Sequence, residues 1–253
     1  MVIAAVARLA LAESRGRLLL VAAVGLAFLL GAWATAAASG GSADPGMDDL
    51  FRLGGYPLVS AVLLMGWTVG RFPLFAAIAL FAGLAWGGRA SGPARLLHAR
   101  PVSPLAIYAV RAGLFGALAF LASALVLPAF DLLILGAWGG SATLALAAAY
   151  ILAYGGLTAL LSVWTRADAA IAALLAILAH VWHGALRSGA ADAIPRGVGR
   201  FLSFALPPQG ALHELESAFA GVQPVPWDSF GYVAGYAVLL AALTALSIVV
   251  REI

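Results

Sequence analysis

The sequence predicts an all-α integral membrane protein in which an interfacial helix precedes six membrane-spanning helices. First, 64% of the residues are hydrophobic and 10% are charged, and the mean hydropathy is +1.03, whereas a soluble domain carries about 25% charged residues. Second, the apolar residues form solid runs of Ala, Leu, Val and Gly, unlike the alternating pattern of a transmembrane β-barrel. Third, the chain accommodates roughly six helices of about 20 residues with connecting loops.

An amphipathic segment opens the chain. Within residues 1–17, Arg8, Glu13, Arg15 and Arg17 are interspersed among apolar positions, which is typical of an elbow helix in the membrane surface. A secretory signal peptide also begins with a basic and then an apolar stretch, but the run that follows is itself long enough to span a bilayer. We therefore predict an elbow helix over 1–17.

Six apolar runs set the limits of the predicted spans. The second run is divided by Arg71 and Pro73, so we place its membrane part after Arg71 and leave 57–70 at the outer interface or as an outward extension of the helix. The predicted spanning helices cover residues 18–38, 72–88, 106–128, 141–163, 168–186 and 230–250. Tryptophans close to their ends are expected to form an interfacial belt: Trp33, Trp86, Trp138, Trp164, Trp182 and Trp227.

The arginines orient the chain. With a cytoplasmic N-terminus, eight arginines lie on the inner side: Arg8, Arg15, Arg17, Arg89, Arg95, Arg100, Arg166 and Arg251. Five lie on the outer side: Arg52, Arg71, Arg187, Arg196 and Arg200. Because the excess of basic residues marks cytoplasmic loops, we predict a multi-pass protein of the bacterial inner membrane with both termini in the cytoplasm. Segment 89–105 is then cytoplasmic, and segment 187–229, with two short amphipathic helices around Pro207 and Pro208, is extracytoplasmic.

The cytoplasmic segment 89–105 concentrates arginine between two apolar runs. It contains SGPARLLHARPVSP, in which the two last prolines suit a bend and the start of the next helix. One interpretation is a loop that only sets the topology. The other is a short surface helix that presents Leu96, Leu97 and Arg100 to a cytoplasmic partner.

This segment, extended to SGPARLLHARPVSPLAIYAVRAG, resembles the loop of type-2 ATP-binding-cassette (ABC) exporter permeases. In that family a Gly-small-x-x-Leu-Leu-x-x-Arg-Pro-Val-Ser pattern precedes the third helix, and the matching positions are Gly92, Leu96, Leu97, Arg100, Pro101, Val102 and Ser103. The start, LALAESRGRLLLVAAVGLAFLLGAW, is similar to the family's elbow and first helix. The six-helix plan and the helical outer loop before the last helix also fit, and within the family the chain looks similar to the small permeases of nitrous-oxide-reductase maturation.

The resemblance implies a half-transporter that forms the translocation path and works by alternating access. A second permease copy, giving a homodimer or a pair of similar chains, would associate with two ATPase subunits that bind ATP and Mg. The implied ATPase-coupling residues are Arg95, Leu96, Leu97, His98, Arg100, Pro101, Val102 and Ser103. The chain departs from the family after the second helix, where the usual acidic pair is replaced by Gly88-Arg89-Ala90.

Two histidines near the predicted outer end of the fifth span are candidates for substrate or metal contact. His180 and His183 lie one helical turn apart, so they could share a metal or line a substrate path. The alternative is a pair of interfacial polar groups beside a belt tryptophan. His213 in the outer loop, with Glu214 and Glu216, is a weaker set, for which a solvated polar face is the alternative.

Asp131 follows Pro128 near the predicted outer end of the third span. An ionisable group at membrane depth is functional by default, and it would be a third candidate for substrate contact. We expect Asp131 instead at the level of the headgroups, where a carboxylate is ordinary.

Small residues predict close helix packing in two spans. Gly113 and Gly116 give the third span a small face, and Gly231 and Gly235 form a GxxxG pattern at the start of the sixth. Small residues let membrane helices approach one another closely. They could serve packing within one subunit or the contact between two copies.

The residues argue against an enzyme. The chain lacks GxSxG and HExxH motifs, and without lysine it has no ATP-binding P-loop. It also contains no cysteine, which excludes disulfides and thiolate metal sites. We therefore assign it no catalytic residue, metal ligand or bound cofactor, and we expect lipid and protein partners but no nucleic acid. The alternative function is a secondary transporter or a structural anchor of a larger membrane complex.

Overall fold

The computed structural model describes residues 2–38, 52–53, 56–57, 71–85, 103–134, 138, 140–220 and 224–251. The helices in these ranges are α1 (Val2–Ala38), α2 (Phe72–Phe81), α3 (Pro104–Ile134), α4 (Ser141–Tyr150), α5 (Gly156–Trp164), α6 (Asp168–Ser188), α7 (Arg196–Ala205), α8 (Gln209–Ala220) and α9 (Trp227–Val250). A π-helical turn, Ile151–Gly155, joins α4 to α5 without a break, and a 3₁₀ turn, Ala190–Ala193, follows α6. Two-residue strands, β1 (Arg52–Leu53) and β2 (Tyr56–Pro57), pair antiparallel with Leu53 opposite Tyr56.

Five of the described helical segments are long and apolar enough to cross a membrane. They are Ala4–Trp33, Pro104–Leu133, Ser141–Trp164, Asp168–Ser188 and Trp227–Val250. The prediction of an all-helical chain with several membrane-crossing helices is therefore confirmed, and it fits a multi-pass membrane protein.

The second predicted span, 72–88, is not one continuous helix. Helix α2 has 10 residues, which is about 15 Å at a rise of 1.5 Å per residue and about half of the hydrocarbon core. The helix ends because Ala82 turns to φ −54°, ψ 131° and Gly83 takes φ 62°, a conformation that favours glycine. Residues 86–88 lie outside the described ranges. Most of α2 is buried, so it packs inside the bundle as a short central helix.

The predicted boundary between an elbow helix over 1–17 and a first span over 18–38 is also absent, because α1 runs unbroken through both segments. No proline interrupts it, and its Ala and Leu content favours helix. The polar residues that suggested a surface helix are partly turned into the protein: Ser14 is buried, and Glu13 pairs with Arg111 of α3.

The long helices α1, α3 and α6 run in one direction, and α4–α5 and α9 run in the other, which defines two ends of the bundle. The near end is where α3 and α6 begin and α9 finishes, and the far end is where α6 finishes and α8 lies. In the far half, Phe28 contacts the rings of Phe72 and Phe130 at centroid distances of 6.3 and 6.0 Å. Midway, Phe81 meets Phe115 edge to face at 6.4 Å. These rings from α1, α2 and α3 form much of the apolar core.

The tryptophans only partly follow the predicted belt. Trp33, Trp138, Trp164 and Trp227 are exposed at helix ends or in connections, as interfacial residues would be. Trp182 is different, because only 8% of it is exposed and its indole donates a hydrogen bond to Ser203 Oγ of α7 at 3.1 Å. It packs α7 against α6. Trp86 lies outside the described residues.

The closest helix contacts use glycines other than the four predicted ones. A Cβ on Gly113, Gly231 or Gly235 would meet no atom within 4 Å, and one on Gly116 would meet only Phe81 at 3.7 Å. These positions therefore do not carry close packing within this chain, apart from the ordinary contact of Gly116.

Three other glycines allow close packing between helices. A Cβ on Gly25 would lie 3.0 Å from Val126, one on Gly155 would lie 3.0 Å from Phe81, and one on Gly156 would lie 3.3 Å from Leu240. Gly155 sits in the π-helical turn between α4 and α5, so α2 approaches the backbone of the continuous α4–α5 segment directly.

Replacement of Gly155 by leucine should lower the free energy of unfolding by about 1–3 kcal/mol, because the added side chain overpacks against Phe81. Thermal unfolding in detergent, followed by tryptophan fluorescence, measures the loss. Gly113→Leu is the matched control, since its side chain would enter open space. Equal midpoints for the two variants would contradict this packing of α2.

Candidate functional site

Among the described residues, most polar side chains that bond between helices fall into two clusters, one at each end of the bundle. The near-end cluster consists of Glu13, Arg17, Tyr108, Arg111, Ser162 and Asp168. It surrounds the two chain segments, 82–85 and 104–111, that flank the predicted coupling loop. Polar groups among apolar helices have to be paired within the protein, so their pairing shows which segments are held together.

Helix α1 holds both flanks of the loop through two residues one turn apart. Arg111 of α3 donates a hydrogen bond to Glu13 Oε2 at 2.9 Å, as part of an ion pair. Arg17 donates to the backbone oxygen of Ala82, directly after α2. Residues at i and i+4 lie on the same face of a helix. One face of α1 therefore bonds to the segment before the loop and to the segment after it.

Helices α5 and α6 hold the same two flanks from another side. Ser162 Oγ accepts a hydrogen bond from the backbone N–H of Ala85 at 3.3 Å and lies 2.9 Å from the hydroxyl of Tyr108. Tyr108 also donates to the carbonyl oxygen of Ala159. The carboxylate of Asp168, which begins α6, accepts the N–H of Gly83. The end of α2 and the start of α3 are thus bonded to a common support.

The charges in the near-end cluster are shielded from water. The side chain of Arg111 is 8% exposed and that of Glu13 is 21% exposed. Asp168 is also buried. Removing one member of a buried ion pair leaves an uncompensated charge and costs about 3–5 kcal/mol. The cluster therefore resists separation of α1 from α3.

The C-terminal end of α9 joins the near end by a separate contact. The guanidinium of Arg251 stacks over the ring of Trp164 at 3.9 Å and donates to the carbonyl of Val163 at 2.9 Å. The indole of Trp164 in turn donates to Ser247 Oγ at 3.2 Å. The last helix is thereby fixed to the end of α5, close to the turn that leads into α6.

The far-end cluster contains the histidines that the sequence marked. His180 Nδ1 lies 3.2 Å from Arg71 Nη2, and the ring of His183 packs against that of His213 at a centroid distance of 5.3 Å. Arg187 Nη1 lies 2.8 Å from His213 Nε2. Because arginine can only donate, Nε2 of His213 is the acceptor, and the ring proton lies on Nδ1.

Helix α8 brings acceptors to this cluster. Nδ1 of His213 lies 3.5 Å from Glu216 Oε2, and the hydroxyl of Tyr150 donates to the other carboxylate oxygen of Glu216. One turn along the π-helical segment, Tyr154 donates to Gln209 Oε1 at 3.1 Å. The two tyrosine rings stack at 5.9 Å. The outer-loop residues His213 and Glu216 therefore contact the bundle while their side chains stay 40% and 24% exposed.

Glu214, the third member of that predicted set, is exposed but accepts a hydrogen bond from Ser229 at the start of α9. It belongs to the contact between α8 and α9.

Asp131 is buried in the contact between two helices. Its exposure is 0%, and Thr143 Oγ1 of α4 donates to its Oδ2 at 2.9 Å. It is therefore inside the protein, between α3 and α4, and its level relative to the headgroups stays a prediction. The placement follows from Pro128, which α3 accommodates without ending, so that the helix continues and carries Asp131 into the contact with α4.

The two predicted metal candidates point to different partners, His180 toward Arg71 and His183 toward His213. In the ranges that the structure describes, no group of three or more His, Cys, Asp or Glu side chains could hold a metal ion. The arrangement offers hydrogen-bond donors and acceptors to a polar ligand instead.

Most of the predicted coupling residues lie outside the described residues: Arg95, Leu96, Leu97, His98, Arg100, Pro101 and Val102. Ser103 is described. Its carbonyl accepts hydrogen bonds from Ala106 and Ile107 at 3.0 and 3.2 Å, and so begins α3. The coupling role of all eight stays a prediction.

Sequence reasoning overlooked four residues of these clusters: Tyr108, Tyr150, Tyr154 and Ser162. The available signal was a hydroxyl within an otherwise apolar run, because such a group needs a partner inside a membrane protein. The identity of each partner was not readable, since the partners are 51 to 66 residues away along the chain.

The chain matches no protein-family model, and it shows no significant similarity to a curated protein or to a solved structure. Function therefore has to be inferred from the two clusters and from the loop sequence between α2 and α3.

Glu13→Gln and Arg111→Gln should each lower the free energy of unfolding by about 3 kcal/mol, because each removes one charge of an ion pair that is shielded from water. The double variant should lose clearly less than the sum, with a coupling energy of about 1–3 kcal/mol. Denaturant unfolding of the native chain, the two single variants and the double variant in detergent measures the four free energies of this double-mutant cycle. Arg15→Gln, at an exposed position of the same helix, should change the free energy by less than about 0.5 kcal/mol. Simple additivity would refute the pairing.

Glu216→Ala should cost about 1–3 kcal/mol, because it leaves the buried hydroxyl of Tyr150 without its acceptor. Adding Tyr150→Phe should restore part of the loss, since the orphaned hydroxyl is then removed. Thermal midpoints of the three variants in detergent test this. No recovery in the double variant would mean that the hydrogen bond is not what ties α8 to α4.

Proposed function

We propose that this chain is the membrane-spanning permease subunit of an ATP-driven ABC exporter of type 2. It pairs with a second permease copy and with two ATPase subunits, and by alternating access it moves a substrate out across the bacterial inner membrane. One observation carries the proposal: both segments that flank the coupling loop are hydrogen-bonded to the same supports at the near end. ATP and Mg belong to the ATPase subunits in this arrangement.

The near-end cluster supplies a mechanical route from the loop to the helices. A push on the loop acts on 82–85 and on 104–111, which bond to α1 through Arg17 and Arg111. The same segments bond to α5 and α6 through Ser162 and Asp168. The cluster thus favours the coupling interpretation of SGPARLLHARPVSP.

The charge distribution supports a cytoplasmic near end. Among the described arginines, this end carries Arg8, Arg15, Arg17, Arg111, Arg166 and Arg251, and the far end carries Arg71, Arg187, Arg196 and Arg200, while Arg52 lies in β1 and outside the helices. The excess at the near end agrees with the positive-inside tendency. The ATPase subunits would then meet the loop from the cytoplasm, and the far-end cluster would face the outside.

The far-end cluster is where this proposal places contact with substrate. His180 and His183 are joined there by the side chains of Arg71 and His213. Nε2 of His183 is buried and has no hydrogen-bond partner among the described residues. The cluster could thus offer a polar group of the substrate one imidazole nitrogen and a guanidinium.

The test is affinity purification of the detergent-solubilised chain from its native cells, with mass spectrometry of what accompanies it. The native chain should retain an ATPase with a Walker motif, and the purified complex should hydrolyse ATP. Arg100→Glu and Leu97→Asp should each abolish that association, because they place a negative charge on the surface that meets the ATPase. Arg15→Glu is the control for the charge reversal, since Arg15 is exposed on α1 outside the loop.

Each outcome discriminates. Loss of the ATPase with both loop variants but not with Arg15→Glu supports the permease. If a folded native chain retains no ATPase, the proposal fails, and a secondary transporter or a structural anchor becomes the better account. If the loop variants retain the ATPase as well as the native chain does, the coupling role of the loop is refuted.

A further inference from the structure

An open cavity of about 670 Å³ lies at the far end, between α6, α7 and the start of α9. Its size falls within the range of about 300–1,000 Å³ that ligand sites occupy. It does not include the histidines or tyrosines of the far-end cluster. None of its lining residues belongs to either polar cluster, so it calls for a separate explanation.

The lining of the cavity is divided into a basic and an apolar part. Arg196 and Arg200, one turn apart on α7, provide two cations, and Ser203 adds a hydroxyl on the same side. The apolar part includes Leu186, Phe204 and Tyr232. No acidic residue is among the lining residues, and neither arginine has a hydrogen bond or ion pair to another residue within the described ranges.

Helix α7 places this cavity at the surface of the bilayer. None of its residues is buried, and Phe201 and Phe204 are 66% and 73% exposed. They occupy the side of the helix next to the two arginines, while Gly199 approaches Trp182 on the opposite side. An amphipathic helix with aromatic and basic neighbouring faces lies in the interface between acyl chains and headgroups.

We propose that this cavity binds an anionic phospholipid from the adjacent leaflet. Arg196 and Arg200 contact the headgroup phosphate, because guanidinium groups form charge-assisted hydrogen bonds to phosphate oxygens. An acyl chain lies against Leu186, Phe204 and Tyr232. The occupant is inferred from the charge and the walls together: two cations without a protein partner among the described residues favour an anion, and the adjoining exposed rings favour an apolar tail.

The lipid would link α7 to the bundle through Arg196 and Arg200, which have no protein partner within the described ranges. On the protein side, α7 is tied to α6 mainly by Trp182, which bonds to Ser203. A bound lipid adds contacts to α6, α7 and α9 at once. This site does not depend on the proposed transport function, since a membrane protein of any function could use it.

Native mass spectrometry of the purified chain in detergent, titrated with phosphatidylglycerol or phosphatidylcholine, tests the proposal. Each arginine near a lipid surface contributes about five-fold in affinity, so Arg196→Gln/Arg200→Gln should weaken phosphatidylglycerol binding by about 30-fold. Phosphatidylcholine binding should change much less. Arg196→Lys/Arg200→Lys keeps both charges and should retain most of the preference for phosphatidylglycerol.

Three controls identify the ligand and the place. Arg8→Gln/Arg15→Gln removes two exposed near-end cations and should leave phosphatidylglycerol binding within about two-fold, as surface charges far from a site have little effect. Phe204→Ser should weaken binding of both lipids. Inorganic phosphate at millimolar concentration should not displace the lipid.

Unchanged phosphatidylglycerol binding by Arg196→Gln/Arg200→Gln, in a variant whose thermal midpoint is native, would overturn the site. Displacement of the lipid by inorganic phosphate, with no effect of Phe204→Ser, would overturn the lipid assignment and indicate a free anion. Neither result would bear on the ATPase, because the co-purification experiment uses variants of the loop alone.

Discussion

The short helix α2 in the centre of the bundle is the constraint on which the other contacts depend. Its buried face packs against α1, α3 and the continuous α4–α5 segment. Gly155 of that segment has no side chain, so Phe81 can approach its backbone. Its ten residues are too short to cross a bilayer and too apolar to leave the protein interior. The polar groups at its two ends therefore have to be satisfied by neighbouring helices, and the two polar clusters form at these places.

Each cluster begins at one end of α2. Arg71, just before the helix, lies against His180 at the far end. Ala82 and Gly83, just after it, bond to Arg17 and Asp168 at the near end. The histidines and the near-end ion pair are thus two sides of one packing arrangement. Any displacement of α2 along its axis would alter hydrogen bonds at both ends of the bundle.

The two clusters differ in their access to water. Near-end members such as Arg111 and Asp168 are buried, and their bonds join backbone and side chains of five helices. At the far end, His180 and Arg187 are exposed, while Tyr150 and Tyr154 below them are buried. The near end is therefore suited to holding helices together. The far end combines buried tyrosines with exposed side chains that a polar molecule can reach.

Much of the helical plan was predictable, because it depends on local composition. Solid apolar runs with arginine between them specify helices that can cross a membrane. The continuous α4–α5 segment and the helices α6 and α9 agree with the predicted spans to within a few residues. The predicted helix limits were wrong where two local sequence signals conflicted. Charges at the start of α1 suggested a surface helix, but Glu13 found a partner in α3. Apolar residues after Phe81 suggested a longer helix, but Gly83 ended it.

Sites were less predictable, because pairing joins residues that are distant in sequence. The sequence by itself determined that His180 and His183 share a helix face and that Arg196 and Arg200 lie one turn apart, since helical periodicity is local. Only the tertiary structure decided that Asp131 is buried, that Gly155 and not Gly231 meets another helix, and that Ser162 joins Ala85 to Tyr108. The physical reason is that burial and hydrogen-bond partners belong to the surface of a neighbouring helix, which no single run of residues contains.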